Sequence, residues 1–453
     1  MKNGIPLKKI SALIHSSISS ADSFNSSYLA YGACVDSRLL KTGDLFFACS
    51  GNRSDGHAFI SQAAQKGASA AVVSADYSGD CYGLPLIYVE NPEKALQQLA
   101  KAVLQSSKTK VVAITGSVGK TTTKGFLAHL LASSFRVAAT PGNYNSQLGL
   151  PLTILNHLQD DTEVAVLEMG MTKAGHIASL IEIAPPEIAI ITATALGHAE
   201  NFESLEAIGL AKAEILSHPK TRLGIVDFGI SNYQAIAQLS CTPLTSFGCD
   251  TNHADWALIR SKQCLRLFNH GILVIEFESL SLPGQHNHHN FLAAAVAANS
   301  CGISWELIME SAKKLTLPEM RLQIQEHQGI TFINDSYNSL PIAVKAALDS
   351  LPLPKREGRK IAVLGEMREL GQFSLECHLE VANYALSRID MLFCLGKECV
   401  SMHDLWEKSN REVFWTLEFS ELVEQLRKFL RPDDVVLIKG SRTSGLSGLV
   451  DKI

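Results

Sequence analysis

The chain has 453 residues, more than one hydrophobic core usually organises, so two or three domains are expected. Hydrophobic residues make up 46% and charged residues 19%, ample apolar material for buried sheets, and a formal charge of −5 argues against a nucleic-acid-binding surface. Ten cysteines stand singly with no C-x-x-C pair, which disfavours zinc ribbons and redox centres and points to reduced thiols. No run of about 18 apolar residues occurs and the first ten residues lack a signal peptide's apolar core, so a cytoplasmic protein without stable membrane association is expected.

Residues 1–91 read as a small mixed domain. Leu45–Cys49, Ala70–Val73 and Leu86–Val89 have the composition of short strands, and Asp55-Gly-His57 opens a helix ending near Gly67. Ser37, Arg38 and His57 are candidate contacts for an anionic ligand, Arg38 by its forked donors; read alone, each is equally a satisfied surface residue. A helix from Lys94 to Leu104, apolar at helical spacing, leads into the next unit.

That unit, residues 92–316, is organised by Val111-Val-Ala-Ile-Thr-Gly116-Ser-Val-Gly119-Lys120-Thr121-Thr122-Thr123: an apolar strand, a glycine turn, and a helix opened by a lysine and three threonines. Glycines let successive N–H groups converge on an anion, and the helix adds the positive end of its dipole. Lys120 adds a full charge, and the Thr121 hydroxyl can hold Mg²⁺. A nucleotide triphosphate is the expected occupant, although a glycine turn can serve packing alone. The loop is a shortened variant, since Ile114 stands where the usual P-loop has its first glycine.

Alternation of strand and helix to about Thr316 predicts a parallel sheet covered by helices, with ligands at the carboxyl ends of its strands. Glu168 ends one such apolar strand, where a carboxylate can meet Mg²⁺ or close a strand without further role. His198 reads equally as a structural imidazole, and Lys212, among apolar and small residues, as a lysine that snorkels. The tract His286-Asn287-His288-His289-Asn290 opens an alanine-rich helix and reads as capping and amide recognition rather than as a metal centre.

A third unit, residues 317–453, is expected to be Rossmann-like. Its strands Lys360–Gly365, Met391–Gly396 and Asp434–Gly440 each end in glycine, which lets a ligand approach the backbone closely. Its loops carry Asp335-Ser-Tyr337-Asn338 and Lys439-Gly-Ser-Arg442. The predicted fold is therefore α/β in three domains: small mixed N-terminal, central P-loop parallel-sheet, and C-terminal Rossmann-like.

Taken in order, these pieces resemble the Mur ligase family over essentially the whole chain. The resemblance rests on Asp36-Ser-Arg38, Gly43-Asp-Leu-Phe46, Asp55-Gly-His57, Thr115-Gly-Ser-Val-Gly-Lys-Thr121, Gly142-Asn-Tyr-Asn145, Glu168-Met-Gly170 and Gly197-His198. It continues through Ala211-Lys-Ala-Glu-Ile215, Gly284-x-His286-Asn287-x-x-Asn290, Arg321, Asp335-Ser-Tyr-Asn338, Leu364-Gly-Glu-Met-x-Glu-Leu-Gly371 and Lys439-Gly-Ser-Arg442. The Asp-Ser-Tyr-Asn and Gly-Glu-Met-x-Glu-Leu-Gly stretches resemble the branch that adds a dipeptide, and the Asp-Asn-Pro-Arg signature of the diaminopimelate-adding branch is not found.

The resemblance implies an ATP-dependent ligase that joins D-alanyl-D-alanine to UDP-MurNAc-tripeptide through an acyl phosphate, in peptidoglycan synthesis. It implies that the first domain holds the UDP end, the second ATP and two Mg²⁺ ions, and that the third closes over ATP. Around ATP it places Thr115, Gly116, Ser117, Val118, Gly119, Lys120, Thr121, Thr122, His286, Asn287, Asn290, Arg321 and Asp335. The catalytic set is Lys120, Glu168, His198 and Lys212, with Thr121, Glu168, His198 and a carbamylated Lys212 as metal ligands. Substrate contacts fall on Ser37, Arg38, Asp55, His57, Asn143, Asn145, Tyr337 and Asn338. A monomer is the default.

The chain departs from the family pattern at Ser146 and Gln147 (an Asn and an acid), Thr172 and His176 (Asn and Glu), Asn334 (Asp), Leu340 (Asn), and Leu446 and Ser447 (Met and Glu). The rival readings are a sibling or folate polyglutamate ligase adding one amino acid, a P-loop kinase, and a nucleotide-switched interaction protein.

Overall fold

The apolar run Lys110–Thr115 is an inner strand of the largest sheet in the computed structural model of the chain. The structure describes residues 1, 3–18, 28–51, 54–197, 199–261 and 264–453. Among these residues that sheet has nine strands, in the order Ile272–Glu278, Cys264–Asn269, Trp256–Arg260, Leu244–Cys249, Leu223–Asp227, Ile188–Ile191, Lys110–Thr115, Val164–Glu168, Val137–Ala139. From Trp256–Arg260 to Val137–Ala139 every pairing is parallel.

Successive strand residues point to opposite faces, and each face has its own core. Val111, Ala113, Ala165, Leu167, Ala189 and Ile191 join one core with the helices Pro92–Gln105 and Gly149–His157. Val112, Ile114, Val164, Val166, Ile188 and Ile190 join the other with Lys120–Leu131 and Gln285–Ser300. Burial on both faces is why these strands read as unbroken apolar runs.

The alternation expected to about Thr316 breaks at Leu244. Four strands then follow without an intervening helix, and the last two pairings are antiparallel. His270 and Gly271 both take positive φ, 47° and 78°, the backbone that folds one strand tightly back on another.

Before this sheet in the chain, a five-stranded sheet runs in the order Ser17–Ile18, Leu86–Val89, Ala70–Ser74, Asp44–Phe47, Gly32–Cys34, parallel but for its first pairing. One of its faces shares the core of the helix Pro92–Gln105, so Leu45, Phe47, Val72 and Ile87 belong to one apolar mass with Ala165 and Ile191. Asn91 caps that helix, its Oδ1 accepting from Lys94 N at 3.0 Å, with Pro92 in the first turn.

The last sheet has six strands, in the order Gln323–His327, Ile330–Asn334, Val435–Lys439, Lys360–Gly365, Met391–Leu395, Glu412–Thr416, parallel after an antiparallel first pair. Its two faces carry cores of their own. Among the described residues no helix is long and apolar enough to cross a membrane.

Candidate active site

After Thr115 the backbone turns through Gly116 (φ 151°) and Gly119 (φ 84°) before the helix Lys120–Leu131 begins. A Cβ on Gly116 would lie 1.9 Å from Thr192 Oγ1, and one on Gly119 2.4 Å from Asn290 Oδ1, so close approach as well as backbone conformation demands glycine. Thr192, ending the neighbouring strand, donates to Val118 O (2.6 Å) and Thr115 O (3.2 Å), while Ser117 N donates to Ala193 O (2.7 Å). The short loop is thus held by its neighbour rather than by a longer glycine run. Its converging N–H groups and helix terminus form an anion cradle.

Lys120 Nζ donates to Gly116 O at 2.7 Å. Burial pushes its pKa down; the charge of Glu168 opposes this and that of Arg321 adds to it. Glu168 is itself buried, with both oxygens engaged. Oε1 accepts from Asn145 Nδ2 at 2.7 Å, and Oε2 accepts from Thr121 Oγ1 at 3.0 Å and lies 3.3 Å from Lys124 Nζ. Lys124 also donates to Gly142 O at 2.8 Å, fixing the turn that carries Asn143 and Asn145.

Sequence reasoning passed over Lys124. The signal was its spacing, three and four residues after Thr121 and Lys120, which puts all three on one face of the helix. Thr121 and Glu168 bring two oxygen donors together, the kind Mg²⁺ prefers, and so fit that ion. His198 lies outside the described residues. Lys212 is buried, and its pKa falls well below the usual lysine range because of burial first and the like charge of Lys120 second. Among the described residues no group of three His, Cys, Asp or Glu side chains is arranged to hold a metal.

Two cavities meet the loop, and a third lies farther out. An inner one of about 380 Å³ is lined by Gly116, Ser117, Lys120, Asn145 and Lys212 together with Asn338, Leu340 and Glu369 from the third sheet's loops. A second, about 710 Å³, brings Val118, Gly119 and Thr122 to His286, Asn287, Asn290, Arg321 and Asp335. Thr115 lies beneath the loop, its Oγ1 buried without a partner among the described residues. Asn290 accepts from Thr123 Oγ1 at 3.4 Å, tying the two helices of that wall, and Arg321 stacks 4.3 Å above the Tyr337 ring. Asp335 is committed to Lys439, whose Nζ lies 2.5 Å from Oδ2, and burial lowers His286 from 6.5 to about 4 against the pull of Asp335. A third, outer cavity of about 800 Å³ is lined by Asn143, Tyr337 and Asn338 among others.

Ser37, Arg38, Asp55 and His57 line none of these three cavities. They stand instead beyond the carboxyl ends of Gly32–Cys34 and Asp44–Phe47. His57 is held within its own domain, the satisfied alternative of the two readings: Nδ1 lies 2.7 Å from Asp55 Oδ1 and Nε2 accepts from Ser74 N at 3.0 Å. With both ring nitrogens used internally, it braces its loop. Arg38 is exposed and forked onto Asp36, and Ser37 donates to Gln62 Oε1 at 2.9 Å.

Residues 30–104 match the model of the Mur ligase family catalytic domain, 114–298 that of the Mur ligase middle domain, and 320–442 that of the Mur ligase glutamate ligase domain. The UDP-N-acetylmuramoyl-tripeptide–D-alanyl-D-alanine ligase of Bacillus subtilis is 34% identical over 431 residues, 93% of this chain and 92% of the relative. The chain belongs to the Mur ligase family. The ligase of the same name from Escherichia coli is 30% identical over 92% of each chain. Among solved structures, this Mur ligase is similar to MurF from Acinetobacter baumannii (TM-score 0.88, 25% identity, 99% of this chain and 98% of that one). It is also similar to MurF from Thermotoga maritima in complex with ADP (TM-score 0.79, 26% identity, 93% and 96%).

Five departures from the Mur ligase pattern, Ser146, Gln147, Thr172, His176 and Leu340, line the inner cavity together. Gln147 Nε2 donates to His176 O at 2.8 Å, so two of them hold one another. Leu446 is buried in the third unit's core, and Asn334 accepts from Ser336 Oγ at 2.6 Å while donating to Ser447 O at 3.4 Å.

Proposed function

We propose that this chain joins D-alanyl-D-alanine to UDP-MurNAc-tripeptide, driven by ATP, to give the UDP-linked pentapeptide of peptidoglycan synthesis. The observation that carries this reading is the inner cavity, where the phosphate loop, a buried lysine and loops of the third sheet meet. In this reading residues 1–91 hold the UDP end, 92–316 bind ATP, and 317–453 close over the nucleotide and admit the acceptor; the chain works as a cytoplasmic monomer.

The loop N–H groups and Lys120 orient the γ-phosphoryl group, and the second cavity, with His286, Asn287, Asn290, Arg321 and Asp335, takes the rest of the nucleotide. The tripeptide's terminal carboxylate attacks phosphorus and ADP leaves, giving an acyl phosphate. The dipeptide's amine then attacks the carbonyl carbon. A C–N bond forms, the C–O bond to phosphate breaks, and phosphate and the amine's proton depart. Closure of the third sheet's loops keeps water from the acyl phosphate. Thr121, Glu168, His198 and a carbamylated Lys212 hold Mg²⁺, two ions, which supplies charge neutralisation on the phosphate oxygens. Burial favours the unprotonated Lys212 amine, the form that adds CO₂; as the N–C bond forms the neutral amine gives up one proton and becomes a two-oxygen anion.

Phosphate release by the purified protein should require ATP, D-alanyl-D-alanine and UDP-MurNAc-tripeptide together, with the pentapeptide product found by mass; release without joined product overturns the reading. Tripeptides ending in diaminopimelate or lysine, compared in this assay, identify the third residue. Lys212→Ala should abolish joining with the fold intact, and short carboxylic acids should restore part of it; full activity in that variant removes the carbamate from the scheme.

A further inference from the structure

Three polar atoms along the second cavity are buried without a hydrogen-bond partner among the described residues: His286 Nδ1, His288 Nε2 and Arg321 Nε. Buried polar atoms are normally paired, so each marks a point that a ligand would satisfy. His286 and Arg321 already belong to the residues expected around ATP. His288 does not, because it fills an open position of Gly284-x-His286-Asn287-x-x-Asn290. Yet only 7% of it is exposed.

The cavity has two ends. Val118, Gly119 and Thr122 stand at the phosphate loop, and at the other end Asp227, Cys249 and Arg260 close the strands Leu223–Asp227, Leu244–Cys249 and Trp256–Arg260. Trp256–Arg260 is the fourth strand along from Lys110–Thr115, a distance of about 19 Å at about 4.8 Å per strand. Phosphates held by the loop therefore direct the base toward the far end. His288 belongs to that end, where burial first and the charge of Arg260 second lower its pKa against the Leu280 carbonyl and Asp250. The ring is thus neutral and carries one N–H, which the Leu280 carbonyl attracts. Since Nε2 has no partner, that N–H is on Nδ1 and Nε2 keeps a lone pair.

Resting on the ligase reading and its use of ATP, we propose that His288 selects the purine: Nε2 accepts a hydrogen bond from the exocyclic amino group of adenine and repels a base with a carbonyl oxygen on the same carbon. Adenine presents N–H there, whereas guanine and hypoxanthine present an oxygen acceptor. A buried lone pair set against another acceptor has no water to turn to, so the mismatch costs more than a missing bond. In this role the side chain meets the base and not the phosphates. It decides which nucleotide binds and leaves the chemical step alone.

The test compares three triphosphates as drivers of joining by the full-length protein: ATP, purine riboside triphosphate, which lacks the amino group, and inosine triphosphate, which has a carbonyl in its place. The wild type should show a KM about tenfold higher for the purine riboside compound than for ATP, the scale of one lost hydrogen bond to a buried acceptor, and a higher one still for the inosine compound. His288→Phe should raise KM for ATP by a similar factor and use all three about equally well, with KM for UDP-MurNAc-tripeptide and for D-alanyl-D-alanine unchanged. His288→Gln, whose amide can turn either its oxygen or its nitrogen to the base, should keep ATP and gain inosine triphosphate. A wild type that uses ATP and purine riboside triphosphate equally well overturns the proposal whether or not a variant folds. So does a His288→Phe protein that keeps the wild-type preference. A wild type that forms no joined product with any of the three overturns the ligase reading beneath it.

Discussion

Lys124 is, among the described residues, the cation paired with Glu168, a carboxylate that also takes donors from Thr121 and Asn145, and both charged groups are buried. Replacing it by Met strands a buried anion, expected to destabilise by about 3 kcal/mol. If the same carboxylate serves Mg²⁺, the ion offsets part of that loss. Lys124→Met should therefore melt below the wild type in chelator and gain more on adding Mg²⁺; equal gains in both proteins would show that lysine and ion do not share Glu168. His286 gives a separate handle through pH. Burial lowers it from 6.5 to about 4, so between these values the unfolded chain binds a proton that the folded chain refuses. Stability is full above 6.5 and is lost as pH falls toward 4, by about 3 kcal/mol in all. Urea unfolding at a series of pH values in this window should show a shallower slope for His286→Phe than for the wild type.

Among the elements, the strand, glycine turn and helix from Lys110 to Leu131 carry the clearest stake. Gly119→Ala meets Asn290 Oδ1 and forces a left-handed residue other than glycine, costing about 1–2 kcal/mol. Because Asn290 must yield, binding of a non-hydrolysable ATP analogue should weaken as well; unchanged affinity in a titration would separate this contact from the nucleotide. The element was legible because its strand is buried on both faces and its turn needs glycine. Glu168 was legible by its place at a strand's end. Lys124 was not, because a lysine on a helix ordinarily reaches solvent, and only the fold shows Glu168 beneath it. The hairpin at His270-Gly271 was missed because its strands were taken into the helix-alternating pattern, and the bond of His57 to Ser74 N was not legible because it joins residues seventeen apart.

On the scale of the whole molecule, three sheets were expected and three large ones occur, but their cores are not equally separate. The five-stranded sheet and one face of the nine-stranded sheet bury a single apolar mass around Pro92–Gln105, whereas the six-stranded sheet has its own cores on both faces. Limited proteolysis should accordingly release a folded piece when the chain is cut near residue 317, while a cut near residue 91 opens the shared core and exposes both halves to further digestion. Stable N-terminal fragments after the second cut would contradict this picture. The meeting of Leu340 and Glu369 with Lys212 lay beyond the sequence motifs, since it depends on how these bodies are arranged.

The joined core also bears on how the partners of the proposed reaction would meet. A sugar nucleotide on the first sheet and a phosphate on the second would rest on one shared apolar mass, whereas the third sheet, with cores of its own, would present its loops to them from a separate body.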